Sequence, residues 1–310
     1  MTGILFDVGV IRLFMGVKAL PDPDDIQIPS GEPTYIVMYS GGLSSYEAAR
    51  RCIEKFGPDR VELWFADTNT EDPDLYRFND DVERLLGKTI RRIAQIGDDG
   101  EELDIWGEME RWNVIANSMI DQCSSGLKRR PLRQLLRSEF DPDEAVVVIG
   151  FDNIEDCNRI RNARHHQRPY ATYFPLLEGE TPFKSKIIKE LRSQGVEPPR
   201  LYTMGFKHNN CGGFCVKAGL GQMAHLLREL PEVYAYHEER EQRLRNRLIA
   251  DGKGEHGIFK RQRNGKKTIL TLRMIREEIE SGQKTYAYEE FDDSFSCSCF
   301  TDWFKEPETP

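Results

Sequence analysis

The stretch Tyr35-Ile36-Val37-Met38-Tyr39-Ser40-Gly41-Gly42-Leu43-Ser44-Ser45, continued by Tyr46-Glu47-Ala48-Ala49-Arg50-Arg51, decides the architecture. Its apolar opening reads as a buried strand, its Gly-Gly pair as a turn, and Tyr46 onward as a helix start. A strand that enters such a turn and leaves as a helix aims several backbone N–H groups, and the positive helix end, at one spot, which suits phosphate. Ser40, Ser44 and Ser45 add hydroxyl donors, and Gly41 and Gly42 let an anion approach the backbone with no Cβ in the way. The pattern is not the dinucleotide Gly-x-Gly-x-x-Gly, and it lacks the Gly-Lys-Ser/Thr of a Walker loop. An ordinary turn would look the same in isolation, so the rest of the chain must decide.

Two further apolar runs end in polar turns. Val61-Glu62-Leu63-Trp64-Phe65-Ala66 leads into Asp67-Thr68-Asn69-Thr70-Glu71-Asp72, followed by a helix expected over 75–86. The run 145–149 ends in Gly150-Phe151-Asp152-Asn153-Ile154-Glu155 and then Arg159, Arg161 and Arg164. Strand, polar turn and helix in repetition predict an α/β fold with a doubly wound parallel sheet over residues 33–230. In such sheets ligands bind beyond the carboxyl ends of the strands, which is where Asp67, Thr68, Gly150, Glu155 and Arg159 would stand.

Of seven cysteines, Cys52 and Cys157 read as small buried fillers. Cys123, Cys211 and Cys215 are different: a lone cysteine is followed some ninety residues later by the close pair in His208-Asn209-Asn210-Cys211-Gly212-Gly213-Phe214-Cys215. The tail adds Ser296-Cys297-Ser298-Cys299. No basic-then-apolar leader opens the chain and no apolar stretch reaches the ~20 residues of a membrane span, so a cytoplasmic protein with reduced thiols is expected. In that setting clustered cysteines point to metal binding or catalysis. By chemistry alone, four soft sulfurs fit an iron–sulfur cluster or Zn2+ equally well.

The 40–45 loop resembles the pyrophosphate loop of the ATP pyrophosphatases (adenine nucleotide α-hydrolases), usually Ser-Gly-Gly-x-Asp-Ser, with Ser44 here where that family commonly has Asp. The turns after 66 and 149, and the layout of Cys123, Cys211 and Cys215, resemble its sulfonucleotide (PAPS) reductase branch. That branch usually has Cys-Cys at the first site and Cys-x-x-Cys at the second; here Ser124 replaces one cysteine and the pair is Cys-x-x-x-Cys. The resemblance implies ATP with Mg2+, or a sulfonucleotide, held by Ser40, Gly41, Gly42, Ser44, Ser45, Asp67, Thr68, Gly150, Glu155 and Arg159. It further implies a [4Fe–4S] cluster, with Zn2+ as the alternative, on Cys123, Cys211 and Cys215, the fourth ligand lying between Cys297 and Cys299. Cys297 is taken as that ligand and Cys299 as a reactive thiol, beside Ser40 and Asp67 as catalytic residues.

Two activities follow from the resemblance. One is cleavage of ATP to AMP and pyrophosphate, activating a substrate for sulfur transfer to nucleic acid, as in the DNA phosphorothioation pyrophosphatase and the cluster-dependent tRNA thiolation enzymes. The other is sulfonucleotide reduction; an amide- or nitrile-forming enzyme and a catalytically silent partner in a multi-protein system remain beside them. The tail Phe295-Ser296-Cys297-Ser298-Cys299-Phe300 differs from the reductase ending, which favours the first. Net charge is −9, against a protein that coats nucleic acid through its overall field. Residues 240–276 nevertheless hold twelve Lys/Arg against three acids, and residues 277–310 reverse the sign with ten acids against two Lys. The basic segment suggests a polyanionic partner, nucleic acid or a sulfur-donor protein being compatible, with the oligomeric state open and a homodimer allowed. Three segments result: an N-terminal extension (1–32), the nucleotide-binding domain (33–230), and a helical, cysteine-bearing C-terminal extension (231–310) with a flexible connection at 251–267.

Overall fold

Strand β1 (Thr34–Tyr39) alternates its side chains between two buried faces, so nearly every residue is apolar, as a central parallel strand requires. The computed structural model describes residues 25–151, 157–179, 183–263 and 265–288. Glu155, Cys297 and Cys299, with residues 1–24 of the expected extension, lie outside them. Five parallel strands form one sheet in the order β3-β2-β1-β4-β5, with β2 Val61–Asp67, β3 Ile90–Ala94, β4 Ala145–Val148 and β5 Ala171–Tyr173. The order reverses between β1 and β4, and in doubly wound sheets the crevice at such a reversal is where ligands bind.

Helices cover both faces. Tyr35, Val37 and Tyr39 pack with Leu63 and Phe65 beneath α1 (Leu43–Phe56) and α2 (Pro73–Leu86). Ile36 and Met38 pack with Trp64 and Val147 beneath α4 (Arg130–Glu139) and α5 (Cys157–Gln167). Asp72 caps α2, accepting a hydrogen bond from the Asp74 N–H, with Pro73 at the first helical position. Between the faces in sequence lies α3 (Ile105–Trp112), which Asn113 ends at φ 52°.

A second core lies beside the sheet. Trp106, Met109 and Leu127 meet Phe206, Phe214 and Met223, and all meet Tyr234, Leu244 and Leu248 of α9 (Pro231–Ala250) and Ile275 of α10 (Leu272–Glu280). The segment beyond residue 230 therefore shares one core with the cysteine-bearing segments. Helices α6 (Lys184–Ser193), α7 (Arg200–Thr203) and α8 (Leu220–Glu229) complete the described helices. The stretch expected as a flexible connection instead forms a hairpin, β6 (Phe259–Arg263) paired antiparallel with β7 (Lys266–Leu270). Buried Ile258 and Leu270 anchor its base, and the Asn264-Gly265 pair was its sequence signal. Among the described residues no helix is long and apolar enough to cross a membrane.

Candidate functional site

The 40–45 loop is held open by its own side chains. Ser40 N–H donates to Ser45 Oγ at 3.2 Å, and Ser45 Oγ donates to Gly42 O at 2.8 Å. Gly41 sits at φ +73°, a conformation L side chains rarely adopt, and a Cβ there would lie 2.8 Å from Leu75. Gly42 caps α1 without a side-chain cap hydrogen bond of its own. Gly150 stands across the order reversal: its Cβ would be 2.8 Å from Ser44 O, so only glycine lets β4 close on the loop.

Two residues that sequence reasoning missed complete the loop. Tyr202 accepts a hydrogen bond from the Leu43 N–H at 3.4 Å, and Asn209 Nδ2 donates to Gly41 O at 3.2 Å. Asn209 is 1% exposed and its buried Oδ1 has no hydrogen-bond partner among the described residues, an expense a fold rarely carries without a ligand or water to relieve it.

Beside Asn209, His208 feels three cations, of which the sequence reading named Arg159 and missed Lys184 and Lys207. Burial pushes His208 down to about 4, and the charges of Lys184, Arg159 and Lys207 add to that. Lys184 is 2% exposed, its ammonium donating to Lys207 O at 3.4 Å. Nothing in the sequence spacing joins residues 159, 184 and 207; only the fold does.

Asp67 and Thr68 end β2 as expected, but neither is an open group. Asp67 is fully buried and accepts from Asn69 N–H, Tyr76 Oη and Arg92 Nε at 2.7–3.0 Å. With three donors around it, Asp67 shapes the turn. Thr68 Oγ1 donates to Glu71 at 2.9 Å, and Glu71 also accepts the Cys211 N–H and faces Lys128 at 3.6 Å. Burial holds the Glu71 carboxyl above its ordinary range, with Lys128 opposing.

Cys123, Cys211 and Cys215 come together. They line one narrow cavity with Thr68, Lys128 and Lys217, so the thiols lie next to the carboxyl end of β2 and two cations. Cys123 leads into a π-helical turn (Ser124–Arg129), a widened turn frequent at functional sites. Cys211 takes φ 51°, and Gly212 and Gly213 continue in the left-handed region. Backbone strain of this sort at a non-glycine residue costs about 1–3 kcal/mol and clusters at ligand sites. Among the described residues no three His, Cys, Asp or Glu side chains are grouped closely enough to hold a metal ion as they stand. Soft sulfur donors and two flanking cations suit a thiolate-bound cluster or zinc by their chemistry. Cys52 is buried and its thiol is pushed up to about 12 by burial, in keeping with a filler. The side chain of Cys157 lies outside those the structure describes.

The walls of this cavity are fastened independently of the thiols. Asp121, 4% exposed, accepts from Arg129 at 2.8 Å and from Lys217 at 2.9 Å, joining the segment before Cys123 to the turn after Cys215. Glu108 is fully buried under the π turn, where a Cβ on Gly126 would overlap its Oε1 at 1.7 Å. Gly126→Ala should therefore destabilise the chain by about 1–3 kcal/mol, read as a lower urea midpoint, since overpacking a tight contact costs that much.

Part of the basic segment 240–276 is paired with acids from outside it. Arg240 lies near Asp104 and Glu110, Arg261 pairs with Glu278, and Arg276 pairs with Glu238 and Glu280. These guanidinium groups tie the C-terminal elements together. Compared with protein-family models and with curated proteins, the chain matches none.

Proposed function

We propose that this chain binds ATP with its phosphates in the 40–45 loop and splits it between the α and β phosphates, activating a substrate for sulfur transfer to nucleic acid. The observation that carries this is the glycine turn at the order reversal of the sheet, held through Asn209 next to His208, on which the charges of Lys184, Arg159 and Lys207 act. Loop amides and the end of α1 offer donors to phosphate oxygens, and the cations offset their charge. Attack of an acceptor oxygen on the α-phosphorus would expel pyrophosphate, and preorganised donors at that leaving group favour the departing charge. Mg2+ would travel with the phosphates. Cys123, Cys211 and Cys215 would hold an iron–sulfur cluster or zinc, which would supply a centre able to bind sulfur or polarise an acceptor. The resemblance to the PAPS reductase-like branch of the pyrophosphate-loop proteins supports the same assignment.

Pyrophosphate release from ATP, measured with and without nucleic acid, tests the reading; formation of ADP and phosphate would exclude it. A second reading, sulfonucleotide reduction, is favoured by one observation. Tyr288 stacks on His225 and accepts the Lys207 N–H at 3.1 Å, so the chain leaves the described residues beside the cations, nine residues before Cys297. Sulfite release from a sulfonucleotide with thioredoxin distinguishes it.

His208 gives a further check. Its folded pKa, about 4, is below the ordinary 6.5, so at pH 4–6.5 the unfolded chain takes a proton that the folded chain refuses. Stability should thus fall as pH drops from 6.5 to 4. Pyrophosphate among the three cations would offset the charge that depresses His208, and its NMR titration should move up on adding pyrophosphate. An unmoved titration would place the anion elsewhere.

A further inference from the structure

We propose that the flank formed by α4 and α5, with Trp112 at its upper end, is the docking face for single-stranded nucleic acid. The proposal deepens the reading above by naming the face that receives its nucleic-acid substrate, and it rests on that reading only for the substrate role.

Both helices begin at the carboxyl edge of the sheet: α5 follows β4, and α4 leads down to the start of β4. Leu132 and Leu136 of α4 and Ala163 of α5 pack on the same sheet face, and Arg133 Nη2 reaches His166 O at 3.4 Å. Their outward residues thus form one surface. Residues 157–168 include Arg159, Arg161, Arg164, Arg168 and two histidines, with no acid among them. Arg137 and Arg161 are exposed. In a chain of net charge −9, this concentration is a local reversal of sign along α5.

The upper end is aromatic and apolar. Trp112 is 46% exposed with the Arg130 guanidinium 5.2 Å above its ring, and the loop that follows presents Met119 and Ile120 at 67% and 44% exposure. A basic track that ends in an exposed indole stacked with arginine suits unpaired bases, because stacking needs the flat face of a base that a duplex keeps covered. That end precedes Cys123 on the same segment of chain, Trp112 ending α3 and Cys123 leading into the π turn.

Fluorescence anisotropy of a labelled oligo(dT) strand or its RNA counterpart with the full chain, without ATP, tests the proposal. Binding should be salt-dependent and tighter for single strand than for duplex. Trp112→Ala should weaken it about 5-fold or more, the loss of one base–aromatic stack. The double variant Arg137→Gln/Arg161→Gln should flatten the slope of log affinity against log salt by about 1.4, two phosphate contacts on a single strand. Lys266→Gln/Lys267→Gln, exposed on the distant hairpin, should change neither. Circular dichroism confirms that each variant is folded. Absent binding, equal affinity for duplex, equal loss in the hairpin variant, or competition by polyglutamate at equal charge would each overturn the assignment. Because no ATP is present, failure here leaves pyrophosphate release standing, and absence of that release leaves the binding standing.

Discussion

Asp121→Ala should destabilise the chain by about 3–5 kcal/mol, because it removes the buried carboxylate that Arg129 and Lys217 share. The expected readout is a large drop in the chemical-denaturation midpoint at unchanged slope. Burial alone would raise the Asp121 carboxyl, but Arg129 and Lys217 outweigh it and hold it below its ordinary range. A depressed carboxylate contributes stability that is present above about pH 4 and lost as pH falls through its folded pKa. The variant should therefore lose part of the wild type's acid sensitivity. Cys123→Ser, Cys211→Ser and Cys215→Ser make the contrast: each should lose bound iron or zinc while the fold persists. If instead the serine variants unfolded as readily as Asp121→Ala, the metal and not the ion pairs would be holding the cavity closed.

Gly41→Val should abolish nucleotide binding and also lower stability by about 2–6 kcal/mol, adding a strained left-handed residue to a clash with Leu75. The sequence alone suggested that a side chain here would only fill the phosphate space; the geometry sends its Cβ into α2. Gly42→Ala is the cleaner probe of the ligand. Its Cβ would meet only the Tyr202 hydroxyl at 3.2 Å and Ser40 Oγ at 3.6 Å, so nucleotide affinity should fall further than stability. Calorimetric titration with ATP beside a denaturation curve reads both quantities on the same sample.

Legibility in the sequence followed where each interaction is local. β1, the glycine turn and α1 adjoin one another, so pattern sufficed for them, and β2 and β4 carried uninterrupted apolar runs. The edge strands β3 and β5 did not read as strands: Arg91 and Arg92 face outward from β3, and β5 is three residues long. Asp67 was legible as a residue at a strand end, yet its enclosure by Tyr76 and Arg92 needed the sheet. The convergence of Cys123 with Cys211 and Cys215 was expected from the resemblance, whereas Asp121 and Lys217, which fasten that cavity, gave no local signal. Lys184, Lys207, His208 and Asn209 stayed invisible because each acquires its meaning from a partner far along the chain. The pairing of Arg240, Arg261 and Arg276 in the charge run at 240–276 was hidden for the same reason, since their acids lie at residues 104, 110, 238 and 278.

If the 40–45 loop grips the phosphates of ATP for cleavage between α and β, the products identify it. Phosphorus NMR of ATP and Mg2+ incubated with the anaerobically purified chain, with and without single-stranded nucleic acid, should show AMP, free or joined to the acceptor, together with one pyrophosphate per turnover. Both signals should be lost in Gly42→Ala. ATP left unchanged and unbound under both conditions, or converted to ADP and phosphate, would contradict that role of the loop.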